Sequence, residues 1–350
     1  MLYYYIVFIL LIFNIFIRNR LFIYFIFSLM FFISAFRYKV GFDWYNYEQI
    51  YEVSTGFFLK EPLFLALINF CNNLNFSFQT FIFICTFITL FFYFKSLNFY
   101  FSSNLKVFSL SILYFFLTYS YFEHFNIIRQ GLVIAIFFFS WRYVIERKFF
   151  SYFAVILCCS LIHSSAILLL PFYFLLNFKF NRFFYISIIV FSLIFSRFNF
   201  YNYYFSVFNY FSFLDFVDRY ISDPELNKSF FSSKSDLGLS KIYPAIIFIF
   251  GSFFVNFKNI NKQDLVFYNA GFFAVLFNIL GYQIDIFFRF FSFFEISFCY
   301  MYIFLFSSFK SEIRVFLHYI NIFVYTILLF NMLFIMGLDE YFNYIFDVLL

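Results

Sequence analysis

Apolar blocks of about 15–20 residues recur along the whole 350-residue chain, separated by connections that collect its charged groups. Blocks of that length fold either as helices crossing a bilayer or as the buried core helices of a soluble protein. Composition decides between the two. With 65% hydrophobic and only 12% charged residues, the chain has too little polar surface to cover a soluble globule. The short alternating segments of a membrane β-barrel are missing from the pattern. The expected fold is therefore all-α: a polytopic integral membrane protein, forming one domain over 1–350 because no repeat or linker divides it.

About twelve crossings are expected, at approximately 2–17, 21–36, 78–94, 106–121, 127–141, 149–162, 165–178, 183–196, 242–257, 264–280, 288–307 and 315–336. The first lacks a basic leader and a small-residue cleavage site, so it reads as a retained helix rather than a signal peptide. Lys and Arg in short connections orient the bundle. With Arg18–Arg20 inside, the connections at 95–106, 142–148, 179–182, 258–262 and 310–314 fall inside too, and both termini outside. Those six connections hold thirteen of the 23 Lys and Arg, opposed only by Glu146 and Glu312 within them and by Asp264 just beyond, out of 18 acidic residues. Glu61–Leu74 is apolar but short and begins at Pro62. Counting it as a crossing would invert the charge pattern downstream, so it is expected to be a re-entrant or interfacial helix on the outer face. Two longer outer loops, 37–61 and 197–241, are rich in Tyr and Phe, which argues for packing rather than disorder.

The net charge of +5 is explained by this orientation and calls for no nucleic-acid partner. Five cysteines lie in or beside apolar segments without metal-ligand spacing, so buried thiols are expected, with no metal site and no cofactor. The 77 Phe and 31 Tyr exceed what any binding surface needs and read as compositional bias. No hydrolase elbow, P-loop, dinucleotide fingerprint or HExxH motif is present, so the energy for a reaction must arrive with an activated substrate.

The stretch 125–176 organises the candidate site. Two apolar runs are joined by the charged turn Arg142–Lys148, with Arg129 near the start of the first run and His163 at the end of the second. Ionisable groups in apolar helices are expensive and mark function. Asn126 and Gln130, spaced i, i+4, are expected to share a face beside Arg129. Arg289 occupies the mirror position in a later helix, and Arg37 and Arg219 lie on the same outer side. An arginine fork suits a phosphate or pyrophosphate. Glu61 is expected to cap a short helix, and Glu61, Asp43 and His163 are the candidate proton acceptors, in no settled order. Solvated carboxylates, a structural histidine and arginines snorkelling to lipid phosphates are the alternatives weighed for these groups.

The succession Arg37-x3-Gly41-x-Asp43-x-Tyr45, Glu61-Pro62-Leu63-Phe64, Asn126-x2-Arg129-Gln130 and His163-x-Ser165-Ala166 before Pro171 resembles the EpsG family of Wzy-like polysaccharide polymerases. It covers roughly Arg37 to Phe180, with weaker matches at Arg219-Tyr220 and Arg289. The resemblance implies a glycosyltransferase related in fold to the GT-C-like glycan polymerases, in the inner membrane of a bacterium. It implies polymerisation of undecaprenyl-pyrophosphate-linked repeat units at the periplasmic face into O-antigen, capsule or exopolysaccharide, alongside membrane lipids and a partner protein that sets chain length. Arg129 and Arg289, with Arg219, would then hold the departing pyrophosphate. Two other readings stand beside this one. A lipid-oligosaccharide flippase would need ionisable groups along a path through the membrane centre, where this chain is nearly pure Phe, Ile and Leu. A ligase or acyltransferase would share most of the outer-face features.

Overall fold

The computed structural model describes residues 2–41, 43–53, 61–198, 237–282 and 285–333, with Asp285 and Ile286 described in backbone only. Among these residues all regular structure is helical. Four helices, α1 (Leu2–Ile17), α2 (Arg20–Ala35), α3 (Trp44–Val53) and α4 (Pro62–Asn73), precede the long α5 (Phe78–Phe101). Then come α6 (Leu105–Leu117), the four-residue α7 (Glu123–Asn126), α8 (Ile128–Ile145), α9 (Phe149–Ser160), a 3-10 turn at Ser164–Leu169 and α10 (Phe172–Asn177). The second half holds α11 (Arg182–Phe195), α12 (Leu239–Phe254), α13 (Lys262–Leu280), α14 (Asp285–Glu295), α15 (Phe298–Ser307) and α16 (Ser311–Asn331).

Among the described residues, α5, α8, α13 and α16 are long and apolar enough to cross a membrane. The pair α14–α15 adds one span if its two halves count together. Six further apolar helices, α1, α2, α6, α9, α11 and α12, are shorter. With this many apolar helices, the chain is a helical membrane protein. Two of the expected crossings are broken. The run 288–307 bends by 65° between α14 and α15, where Ser297 N–H bonds Phe294 O and Cys299 N–H bonds Ile296 O, tightening the ladder from four residues to three. The run 165–178 is a 3-10 turn followed by six α residues, because Pro171 between them has no N–H to continue a ladder. That leg still returns beside α9, with the Tyr152 hydroxyl donating to Leu169 O at 2.7 Å.

The basic connections share a local device. Asn19, Asn104, Asn181 and Asn261 each accept backbone N–H bonds as the N-cap of the following helix. An asparagine caps without adding a charge, so the same turns stay positive.

Side chains divide by face. Phe16, Phe150, Phe183 and Phe323 are largely exposed on the outside of the bundle, as lipid-facing residues would be. The main core forms where α5, α6, α8, α13 and α15 meet, around fully buried Trp141 with Phe138 and Phe267. Tyrosines fill crevices here because the hydroxyl reaches a backbone carbonyl: Tyr121 to Met30 O at 2.7 Å and Tyr100 to Phe138 O at 3.0 Å. A second, smaller core joins α3, α4, the start of α5 and Ile128, through Trp44, Tyr47, Tyr51, Phe64, Ile68 and Phe81. The loop expected at 37–61 therefore contains a packed helix, α3. The segment after Glu61 is a 12-residue helix, too short to cross. Of the five free cysteines four are buried, but Cys158 is exposed, because its α9 position faces away from the core.

Two glycines set the approach of these layers. Gly41, at φ +112°, would place a Cβ 2.5 Å from Phe125 O, so only glycine lets this loop lie on α7. A Cβ on Gly131 would come within 2.7 Å of the His124 Cβ, so the bare backbone lets α7 fold against α8.

Candidate functional site

The smaller core brings three separated segments to one point. Leu63 N–H donates to Leu161 O at 2.9 Å, tying the start of α4 to the end of α9. This places Glu61 against His163 in the turn that follows, and against Arg129, the second residue of α8. Arg129 Nη1 lies 3.0 Å from Glu61 Oε2, and His163 Nδ1 lies 3.7 Å from Glu61 Oε1. The first is a charge-assisted hydrogen bond; the second is close apposition, longer than a hydrogen bond. Side-chain exposures of 23% for Arg129, 11% for Glu61 and 15% for His163 put the trio at a partly dry surface.

Glu61 does stand at the N-cap of α4, but its carboxylate makes no capping bond. Pro62 at the first position offers no N–H, and the side chain turns instead to Arg129 and His163. Burial pushes the Glu61 carboxyl up, but the His163 ring, the Arg129 charge and the Ser164 backbone N–H outweigh it and hold it below its usual range.

Around this trio sits Tyr47, buried on α3. The Arg129 guanidinium lies 5.7 Å from the Tyr47 ring centroid and 5.8 Å from that of Phe64, between two aromatic faces. The Tyr47 hydroxyl accepts the Arg129 backbone N–H at 3.4 Å. Arg129 Nε is buried with no hydrogen-bond partner among the described residues. Asp43 opens α3, where Asn46 Nδ2 donates to its Oδ1 at 3.2 Å, and its charge acts on Arg129 and Tyr47.

The other sequence candidates go elsewhere. Asn126 and Gln130 do not share a helical face, because the backbone breaks at Ile127 (φ −99°, ψ 65°) between α7 and α8. Asn126 Nδ2 donates to the Tyr119 hydroxyl at 3.1 Å, while Gln130 Nε2 donates to Arg289 O at 3.0 Å. That second bond brings exposed Arg289, on α14, to the end of the bundle where α8 starts. Arg37 is 1% exposed and is held between α2, α5 and α7. Its Nη1 donates to Ser34 O at 2.8 Å and Thr86 Oγ1 at 3.0 Å, and the guanidinium lies over Phe125. Its neighbour His124, bonded to Ser34 Oγ at 2.6 Å, is held well below the usual histidine range by burial and by the Arg37 charge. Arg219 lies outside the described residues.

Tyr47 and Phe64 were not singled out from the sequence as site residues. The signal available was the spacing Trp44, Tyr47, Tyr51, one buried stripe on α3. Glu123 stands out on the outer side in the sequence, but its pairing with a second carboxyl does not. Glu123 on α7 and Glu295 at the end of α14 are both buried, with Ser292 bonded to Glu123. Burial pushes the Glu123 carboxyl up to about 8, against the Ser292 hydrogen bond.

Chemically, an arginine fork between aromatic faces is an anion site, and a carboxylate facing Nδ1 orients an imidazole whose Nε2 is then the proton acceptor. No curated protein and no solved structure matches the chain significantly. The EpsG family model matches residues 20–346, nearly the whole chain, and members of that family are polysaccharide polymerase-like. The chain belongs to the EpsG family.

Proposed function

We propose that this protein is a multi-pass glycosyltransferase of the bacterial inner membrane that joins lipid-pyrophosphate-linked glycan repeat units at the non-cytosolic face. The observation that carries the reading is the position of Glu61, bonded to Arg129 on one oxygen and facing His163 with the other. A hydroxyl of the acceptor unit attacks the anomeric carbon of the donor chain. The bond from that carbon to the pyrophosphate oxygen breaks, and the electron pair leaves with the undecaprenyl pyrophosphate. Arg129 stabilises the charge growing there, as an oxyanion site does, with Arg289 and Arg219 as its partners. His163 Nε2 takes the proton from the attacking hydroxyl, and Glu61 holds the ring by its Nδ1 side. Asp43 tunes the local field at Arg129. About twelve crossings in a GT-C-like arrangement would carry this site, with a chain-length partner setting how often it turns over.

The test is the lipid-linked glycan profile of a strain lacking the gene. Single repeat units on the lipid carrier, with no long ladder, are expected at the outer leaflet. A normal ladder would overturn the reading. Repeats trapped on the cytosolic leaflet would point to a flippase, and unligated full-length polymer to a ligase.

A further inference from the structure

At the end of the bundle opposite Glu61, the connections 178–181 and 255–261 border an open cavity of about 550 Å³. Lys179, Arg182 and Lys258 line it, and among the described residues no acidic one does. Its walls are preset. The Asn269 side-chain amide donates to Leu176 O and Phe178 O at 2.8 Å each, and the Tyr185 hydroxyl accepts Phe180 N–H at 3.3 Å. Tyr185 also stacks on Phe257 at 5.8 Å. Arg182 is fixed by donation to Val255 O at 2.6 Å, with its guanidinium 5.9 Å from the Phe257 ring centroid. The two lysines are exposed at the mouth, and Phe183 beside them is 67% exposed.

Three cations facing one cavity repel each other unless an anion lies among them. An exposed aromatic on the same rim suits a ligand that carries hydrocarbon as well as charge. We propose that this cavity binds the headgroup phosphate of an anionic membrane lipid, with Lys179, Arg182 and Lys258 on the phosphate and Phe183 against the acyl region. Basic pockets between membrane helices take such headgroups by charge. The site shares no residue with the Glu61 trio.

The test uses the full chain in nanodiscs of mixed phosphatidylcholine and phosphatidylglycerol, with retained lipid read by native mass spectrometry. The double variant Lys179→Gln/Lys258→Gln is expected to weaken phosphatidylglycerol retention roughly 30-fold and leave phosphatidylcholine unchanged. Both lysines are exposed, so thermal stability in detergent should not change. The control pair Arg147→Gln/Lys148→Gln, outside the cavity at the same end of the bundle, should retain lipid as the unmodified chain does. Three results would each overturn the proposal: no loss in the cavity variant, equal loss in the control, or displacement of the lipid by inorganic phosphate, which would make the ligand a free phosphate.

Discussion

Glu61 and Arg129, 68 positions apart in the chain, meet at 3.0 Å in a partly buried contact. Arg129 sits in the first turn of α8, where the helix dipole disfavours a cation. Glu61 offsets that field. In the proposed reaction, a pyrophosphate at the same helix start would offer the guanidinium a stronger anion than the carboxylate.

Arg129→Ala is expected to lower polymerisation by about 10²–10³-fold, the usual loss when one preorganised donor to a developing anion is removed. Arg129→Lys should recover only part of it, because an ammonium keeps the charge but not the planar fork or the aromatic stacking. Ladder length on gels, at matched membrane insertion, measures both.

Glu61 gives a pH signature. Its folded-state carboxyl is depressed, so it contributes stability above the unfolded value of about 4.3 and loses that contribution as pH falls through the lower folded value. The stability gap between the unmodified chain and Glu61→Gln in detergent should be constant near neutrality and close under acid. A gap that widens under acid would contradict the pairing. His163→Ala should abolish activity with a smaller effect on stability, since its contact with Glu61 is the longer one.

Tyr47 separates two contributions. Tyr47→Phe keeps the ring beneath the guanidinium and loses only a long hydrogen bond, so activity should stay within about threefold. Tyr47→Ala removes the ring and opens the small core, lowering stability by about 3 kcal/mol. Equal activity losses in the two variants would place the hydroxyl, not the ring, at the centre of its role.

Glu123 runs the other way in pH. With its carboxyl pushed up to about 8 in the fold, the folded state holds a proton that the unfolded chain releases near 4.3. Stability should therefore fall as pH rises between those values. Glu123→Gln, a neutral isostere that keeps the Ser292 contact within reach, should make that slope shallower in a thermal-melt series, the buried Glu295 beside it supplying the remainder. An unchanged slope would remove Glu123 from its cause.

Charge placement and block length gave the fold class, because a helix that satisfies its own backbone is what lipid permits. They also marked Glu61, Arg129 and His163, since ionisable groups are conspicuous in an apolar chain. Local sequence did not reveal the break at Ile127 or the bend between Glu295 and Phe298. Ile127 stands among the polar residues Asn126, Arg129 and Gln130, and the bend holds Glu295 and Ser297, but none of these residue types by itself specifies a change of backbone. The fate of Arg37 was equally hidden. Ser34, Thr86 and the His124 carbonyl enclose it, and they come together only when α2, α5 and α7 pack.

The sequence alone therefore determined that the chain is a bundle of apolar helices and which few polar side chains stand out in it. Tertiary structure decided which of those side chains meet. Apolar periodicity says that a face is buried but not against what, and contacts such as Leu63 to Leu161, on which Glu61 reaching His163 depends, exist only once distant helices have docked.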